Sequence, residues 1–354
     1  MAVSATACAS STNSSSTADS SAADSSAADS STPAATADAA STADASSAAD
    51  DSSAAEIPAD KVYNIGICQL VEHVALDAAT QGFKDKLTEL LGEGNVVFYE
   101  QNAQGESTNC STICQGFVSN GYDLILANAT PALQAAAAAT NSIPVLGTSV
   151  TDYGTALDIS DWTGTTGTNI SGTADLAPID EQEKMLKELF PDVKQVGILY
   201  CSSEANSKFQ AQKFGEALTA DGIAYKEYSA ADSNEIQSIT NTAIGECDVL
   251  YVPTDNTMAS NTEIIKNICV PADIPVIAGE EGICKGCGVA TLSISYYDLG
   301  VATGEMAYEI LTEGKNPGEM EIRYAPNVVK EYNKEICDTL GITIPEDYVA
   351  IPAE

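Results

Sequence analysis

The chain states one pattern twice, 131 residues apart. Ile65-Gly66-Ile67 returns as Val196-Gly197-Ile198, and Gln81, Phe83 and Leu87 return in register as Gln212, Phe214 and Leu218. Further on, Ile143-Pro144-Val145-Leu146 is answered at the same offset by Ile274-Pro275-Val276-Ile277. Tyr122–Leu126 parallels Cys247–Tyr251, slightly out of register. A repeat of this period predicts two structurally similar domains. Two such domains face each other across a cleft, and clefts are where ligands bind.

Each copy alternates apolar, β-branched runs with stretches of helical spacing. In the first copy, strands are predicted over 61–69, 96–99, 123–127 and 143–146, and helices over 74–92, 110–119 and 131–140. Continuous apolar strands between helices indicate parallel sheets covered on both faces. A Gly/Thr turn segment over 164–172 and Ala174–Pro178 lead out of the first copy. In the second, strands are predicted over 195–200, 223–228, 248–252, 274–278 and 289–293, with helices over 179–190, 205–220, 233–245 and 260–270. A long helix over 297–313, a strand over 320–324 and a helix over 328–340 close the chain. These last 60 residues belong to neither repeat and are expected to cross back, which makes a hinge of several segments.

The fold expected is therefore α/β, with two doubly wound parallel-sheet domains. The first takes residues 60–173 with about 295–320, and the second takes 174–294 with about 325–354. Residues 1–59 stand apart. From Ala9 to Ala55 the only residues other than Ser, Thr, Ala and Asp are Asn13 and Pro33. Such a segment buries too little apolar surface to offset the entropy of ordering, so it reads as a disordered tether. Its random-coil reach is about 35–40 Å.

Ala2–Cys8 is a run of small residues ending in Cys, followed by that tether. The run resembles the end of a bacterial lipoprotein signal peptide, with Cys8 as the lipid-modified residue. Ala5 stands where a branched aliphatic is usual. No charged and apolar signal regions precede it, so Met1 reads as an internal methionine. The expected location is extracytoplasmic, lipid-anchored to the outer face of the cytoplasmic membrane.

The net charge is −36, from 51 acidic and 15 basic residues. That balance excludes a phosphate-backbone partner. With one histidine, His73, and ten cysteines mostly inside apolar runs, no zinc set is expected, and no cofactor. Cys110/Cys114 and Cys284/Cys287, the second pair in a Gly-rich loop, leave disulfide and thiol states both open. No G-x-S-x-G, G-x-x-x-x-G-K-[ST] or H-E-x-x-H occurs, so no enzyme is expected.

Ligands of open parallel sheets bind beyond the carboxyl ends of the strands. Those positions hold Gln69 to His73, Asn128 to Pro131, Gly147 to Tyr153, Cys201 to Asn206, Pro253 to Asn256 and Gly279 to Gly282. From them the candidate ligand-binding set is Gln69, Glu72, Thr130, Thr148, Ser149, Asp152, Ser202, Asn206, Asp255 and Glu280. Thr130, Thr148 and Ser149 suit a carboxylate. Thr130-Pro131 opens a helix with free N–H groups, and Asp255 or Glu280 suits an ammonium. Each of these residues could equally be a helix N-cap, and His73 could border its helix or face the ligand.

Val71–Ala78, Gly147–Tyr153, Tyr200–Ser207 and Pro253–Asn256 together resemble the signature stretches of a bacterial ABC-transporter substrate-binding family. Val74 stands where Pro often follows the His. The resemblance implies the type I periplasmic-binding-protein fold and a monomer. It also implies capture of a small solute, an amino acid and in some relatives an aromatic one, for delivery to an ABC permease. A ligand-sensing surface protein using the same clamp, and a sugar or nucleoside binder, are the alternatives.

Overall fold

The computed structural model describes residues 61–325 and 328–352. The small-residue run with Cys8 and the Ser/Ala/Asp tether lie outside the described residues. Among the described residues no helix is long and apolar enough to cross a membrane.

The first half of the chain runs β1 (Tyr63–Gln69), α1 (Val74–Leu91), β2 (Val96–Asn102), α2 (Ser107–Asn120), β3 (Leu124–Asn128), α3 (Thr130–Ala139), β4 (Val145–Val150), α4 (Tyr153–Ala156) and β5 (Ile170–Ala174). The second begins α5 (Ile179–Leu189), β6 (Gln195–Cys201), α6 (Ala205–Ala220), β7 (Ala224–Ala230), α7 (Ile236–Ala243) and β8 (Val249–Val252). It continues α8 (Asn256–Ala259), α9 (Thr262–Cys269), β9 (Val276–Ala278), α10 (Glu281–Cys287) and β10 (Ala290–Ser293). The last stretch is α11 (Tyr296–Glu313), β11 (Arg323–Tyr324), β12 (Val329–Tyr332), α12 (Lys334–Leu340) and β13 (Val349–Ala350).

The strands form two sheets. One is six-stranded and parallel, in the order β11-β5-β4-β3-β1-β2. The other is seven-stranded, β13-β12-β10-β9-β8-β6-β7, parallel except where β10 meets β12. The chain passes between them from β5 to α5, from β10 to α11, and from β11 to β12. Three passages make a hinge whose segments share the bending.

The internal repeat has a steric basis. Gly66 and Gly197 lie within β1 and β6, each the strand next to one edge of its sheet. A Cβ on Gly66 would lie 2.5 Å from the Phe117 ring, and one on Gly197 would lie 2.5 Å from Leu250 Cδ2. Phe83 and Phe214, the repeated aromatics of α1 and α6, are both fully buried. Both faces of the sheets carry core: Ile65 and Ile67 pack on one side of β1 and Cys68 on the other.

The C-terminal crossing is tight. α11 lies along α1, and Cβ atoms on Gly82 and Gly300 would fall within 2.1 Å of the Tyr297 and Ala79 carbonyl oxygens. No side chain fits at either position, so the two helix backbones touch.

Four expectations are corrected. Residues 328–340 are not one helix: Val329–Tyr332 is a strand paired antiparallel with β10, and helix begins only at Lys334. Asn333 ends the strand and caps that helix, its Oδ1 accepting from Ile336 N. The Gly/Thr segment finishes as strand β5. The segment with Cys284 and Cys287 is the helix α10, not a loop. The helix expected over 260–270 starts at Thr262, behind the separate turn of α8. All nine cysteines among the described residues are buried thiols.

Candidate functional site

Between the sheets, at the carboxyl ends of β4, β5, β6, β8 and β9, lies an enclosed chamber. Its walls carry His73, Ser149, Asp175, Asn206, Asp255, Glu280 and Tyr296, with Leu76, Thr254, Asn256 and Ala259 filling the gaps. It leaves a void of about 10 Å³, close to one water molecule's worth, so the lobes are drawn together over it.

Nine buried side-chain N or O atoms among the described residues have no hydrogen-bond partner, and four belong to this chamber: His73 Nδ1, Ser149 Oγ, Asp175 Oδ1 and Asn206 Oδ1. Buried polar atoms are almost always paired, so such a concentration marks a place built for another molecule.

Each orphan is aimed by its neighbours. Asn256 Nδ2 donates to Glu204 Oε2 at 2.6 Å, so Asn256 presents Oδ1 across the cleft to His73 Nε2 at 3.2 Å. His73 therefore carries its proton on Nε2, and Nδ1 is left as an acceptor. Burial pulls the His73 pKa down, which keeps the ring neutral. Asn206 Nδ2 donates to the Thr254 carbonyl at 3.0 Å and to Glu204 Oε2 at 3.2 Å, which leaves its Oδ1 free. Asp175 Oδ2 accepts from the Tyr296 hydroxyl at 3.0 Å, which leaves its Oδ1 free. That bond ties the first passage between lobes to the second. Ser149 is left-handed, with φ 54°, at the penultimate position of β4 where the pairing with β5 shifts register, and it lines the chamber. Ala129, at the start of α3, has φ 93° and is bonded to the Thr148 carbonyl. Strained non-glycine backbone of this kind persists where the surroundings enforce it, often at ligand sites.

The acids of the second lobe are committed elsewhere. Asp255 Oδ2 accepts from Cys201 N at 2.6 Å and Oδ1 from Met258 N at 2.8 Å. Glu280 accepts from Gly282 N at 2.7 Å and Ile283 N at 2.5 Å. Both are N-caps of the helices that follow them. Burial pushes the Glu280 carboxyl up to about 7 and the Asp175 carboxyl up to about 6. Burial and the neighbouring Glu204 push Asp255 up as well.

Of the residues singled out from sequence, Ser149, Asn206, Asp255 and Glu280 come together at the chamber. The other six do not line it. Gln69 is held on both ends of its amide, by Asp77 Oδ1 and Thr80 Oγ1. Glu72 is exposed at an outer cavity of the cleft. Thr148 accepts from Thr173 Oγ1. Thr130 is the buried first residue of α3. Asp152 caps α4 through Thr155 N, and Ser202 donates to the Ala230 carbonyl.

Sequence reasoning missed Asp175 and Tyr296. Both stand at passages between the lobes, and the signal available was an acid inside the apolar exit segment Ala174–Ala177.

The model of the family described as ABC transporter substrate binding protein matches residues 64–354. A tyrosine-binding protein of Clostridioides difficile is 38% identical over 264 residues, covering 74% of this chain and 76% of the relative. The ABC domain in complex with L-Trp from Streptococcus pneumonia is similar with TM-score 0.77 and 32% identity, over 81% of this chain and 97% of that one. A ligand-free, open substrate-binding protein with adhesive properties from Clostridium difficile is 37% identical but has a TM-score of 0.63, over 83% of this chain and 100% of that one. The better fit to the complex, despite its lower identity, agrees with the closed chamber. Two parallel-sheet α/β lobes, a three-passage hinge and these similarities give the type I periplasmic-binding-protein fold, and the chain belongs to the ABC transporter substrate-binding protein family.

Proposed function

We propose that the chamber captures the head group of an α-amino acid, that the preferred ligand is aromatic, and that the protein hands it to an ABC permease without chemical change. One observation carries this reading. Three orphan acceptors, His73 Nδ1, Asp175 Oδ1 and Asn206 Oδ1, line one chamber, and an ammonium has three N–H donors. Asp175 supplies the opposite charge. Ser149 Oγ is the free donor for the carboxylate. The relatives named for tyrosine and solved with L-Trp support the aromatic preference.

Asp175 replaces Asp255 as the ammonium partner, because both Asp255 oxygens already hold backbone N–H groups. Entry and occupancy both require the hinge to open, since a void of about 10 Å³ holds a water molecule and not a head group. Delivery from outside the membrane fits the Cys8 run and its tether, with Cys8 as the lipid-bearing residue. A surface-binding role beside import is a second reading, favoured by the relative described as adhesive.

Thermal-shift measurement with the twenty amino acids tests the capture. Tyrosine or tryptophan at 100 times its Kd should stabilise by about 2.7 kcal/mol. The deaminated analogue of tyrosine should give little shift. A protein unmoved by every amino acid, or moved equally by the analogue, refutes the head-group assignment. Palmitate incorporation that vanishes in Cys8→Ser tests the anchor.

A further inference from the structure

A second cavity, of about 210 Å³, adjoins the chamber on its hinge side, and Glu280 and Tyr296 line both. The chamber itself has no room for a side chain, whereas a cavity of about 150 Å³ holds a benzene ring. Val74 and Ala78 of α1, Ile294 of the second passage and Tyr297 of α11 give this cavity apolar walls. Its far side carries Glu331 of β12. Glu331 Oε2 is a buried oxygen without a partner. Glu331 as a whole is half-buried, as is Glu281 beside it, and the fully buried acid of the wall, Glu280, already holds two backbone N–H groups. An apolar slot with one unanswered acceptor suits a flat side chain that ends in a hydrogen-bond donor.

We infer that this hinge-side cavity receives the ligand's side chain, and that Glu331 selects aromatic side chains bearing a phenol O–H or indole N–H over phenylalanine. The inference rests on the amino-acid reading of the chamber. Burial, and after it the neighbouring Glu281 carboxylate, hold the Glu331 carboxyl up to about 7. A ligand lacking the donor leaves that oxygen unanswered, and sites built around a buried polar group reject such analogues strongly.

Calorimetry at pH 8 with L-tyrosine, L-tryptophan, L-phenylalanine and L-alanine tests it on the full chain. Wild type should prefer tyrosine or tryptophan to phenylalanine by about tenfold or more. Glu331→Leu should reverse that order while binding phenylalanine normally. Ala78→Leu, which fills the slot from α1, should weaken the aromatic ligands and spare alanine. Equal affinities for tyrosine and phenylalanine in wild type, or an unchanged preference in Glu331→Leu, overturn the side-chain assignment and leave the head-group site standing. Should none of the four ligands bind wild type, the head-group reading itself fails.

Discussion

The two lobes begin from the same strand–helix plan and use their strand ends differently. In the first lobe, Ser149, next to last in β4, has a strained backbone and a free hydroxyl. In the second, Asp255 and Glu280 stand beyond the ends of β8 and β9 with every oxygen engaged by backbone N–H groups, three from the helices that follow and one from Cys201 at the end of β6. The acid of the chamber that keeps a free oxygen, Asp175, lies in neither repeat but in the passage between them. An acid at a strand end is therefore not by itself a ligand contact. What separates the two uses is whether its oxygens are already answered.

The largest effect should come from Asp175. Asp175→Asn removes the counter-charge and should weaken amino-acid binding by about 2–3 kcal/mol, read by calorimetry. Its ligand-free stability should hold or rise at pH 8, since a buried carboxylate is removed. Undiminished affinity in this variant would return the ammonium to the second lobe.

The pH response sharpens the same contrast. Asp175 is raised to about 6 and Glu280 to about 7, against roughly 4 in an unfolded chain. The folded protein then holds these protons more tightly. Their stabilisation is complete below about pH 4 and is lost as pH rises through 6 and 7. The ligand-free protein should thus resist urea better at pH 5.5 than at pH 8, and less so in Asp175→Asn. Binding runs the other way. The ammonium needs the ionised Asp175, so affinity should be full above pH 6 and fall roughly tenfold per unit below it, about 1.4 kcal/mol. Affinity constant from pH 5 to 8 contradicts the pairing.

Asp255→Ala should cost about 1 kcal/mol of stability as a lost N-cap, seen in the denaturation midpoint. A loss of binding without that destabilisation would make Asp255 a ligand contact after all. The smallest change is expected at Ser149. Ser149→Gly should relieve the left-handed strain, raising stability by up to about 1 kcal/mol, while binding weakens. A variant that is less stable than wild type would show that the hydroxyl serves the fold.

Much of the fold could be read from pattern, because the strands are buried on both faces and their apolar runs are unbroken. The repeat located Gly66 and Gly197 before their crowding was visible. Residues 328–340 misled for a local reason. Val328-Val329 and Tyr332 suit either state, and the antiparallel partner β10, some 40 residues earlier, decides for strand. The chamber was half legible. Small and acidic residues after strands point to its rim, but which oxygens remain free depends on backbone N–H groups that only the fold brings near. Asp175 and Tyr296 carry no pattern, since the hinge belongs to neither copy.

The backbone contact of α11 with α1 also sets an order of assembly. The lobe made first lacks its helix neighbour and its edge strand β11 until residue 324 has been synthesised, about 150 residues after β5. At roughly 5–20 residues per second that is a wait of about 8–30 s. Through that interval the face of α1 around Gly82, and the edge of β5, stand uncovered. A chain cut short before residue 296 would lose not its tail but the roof of its own beginning.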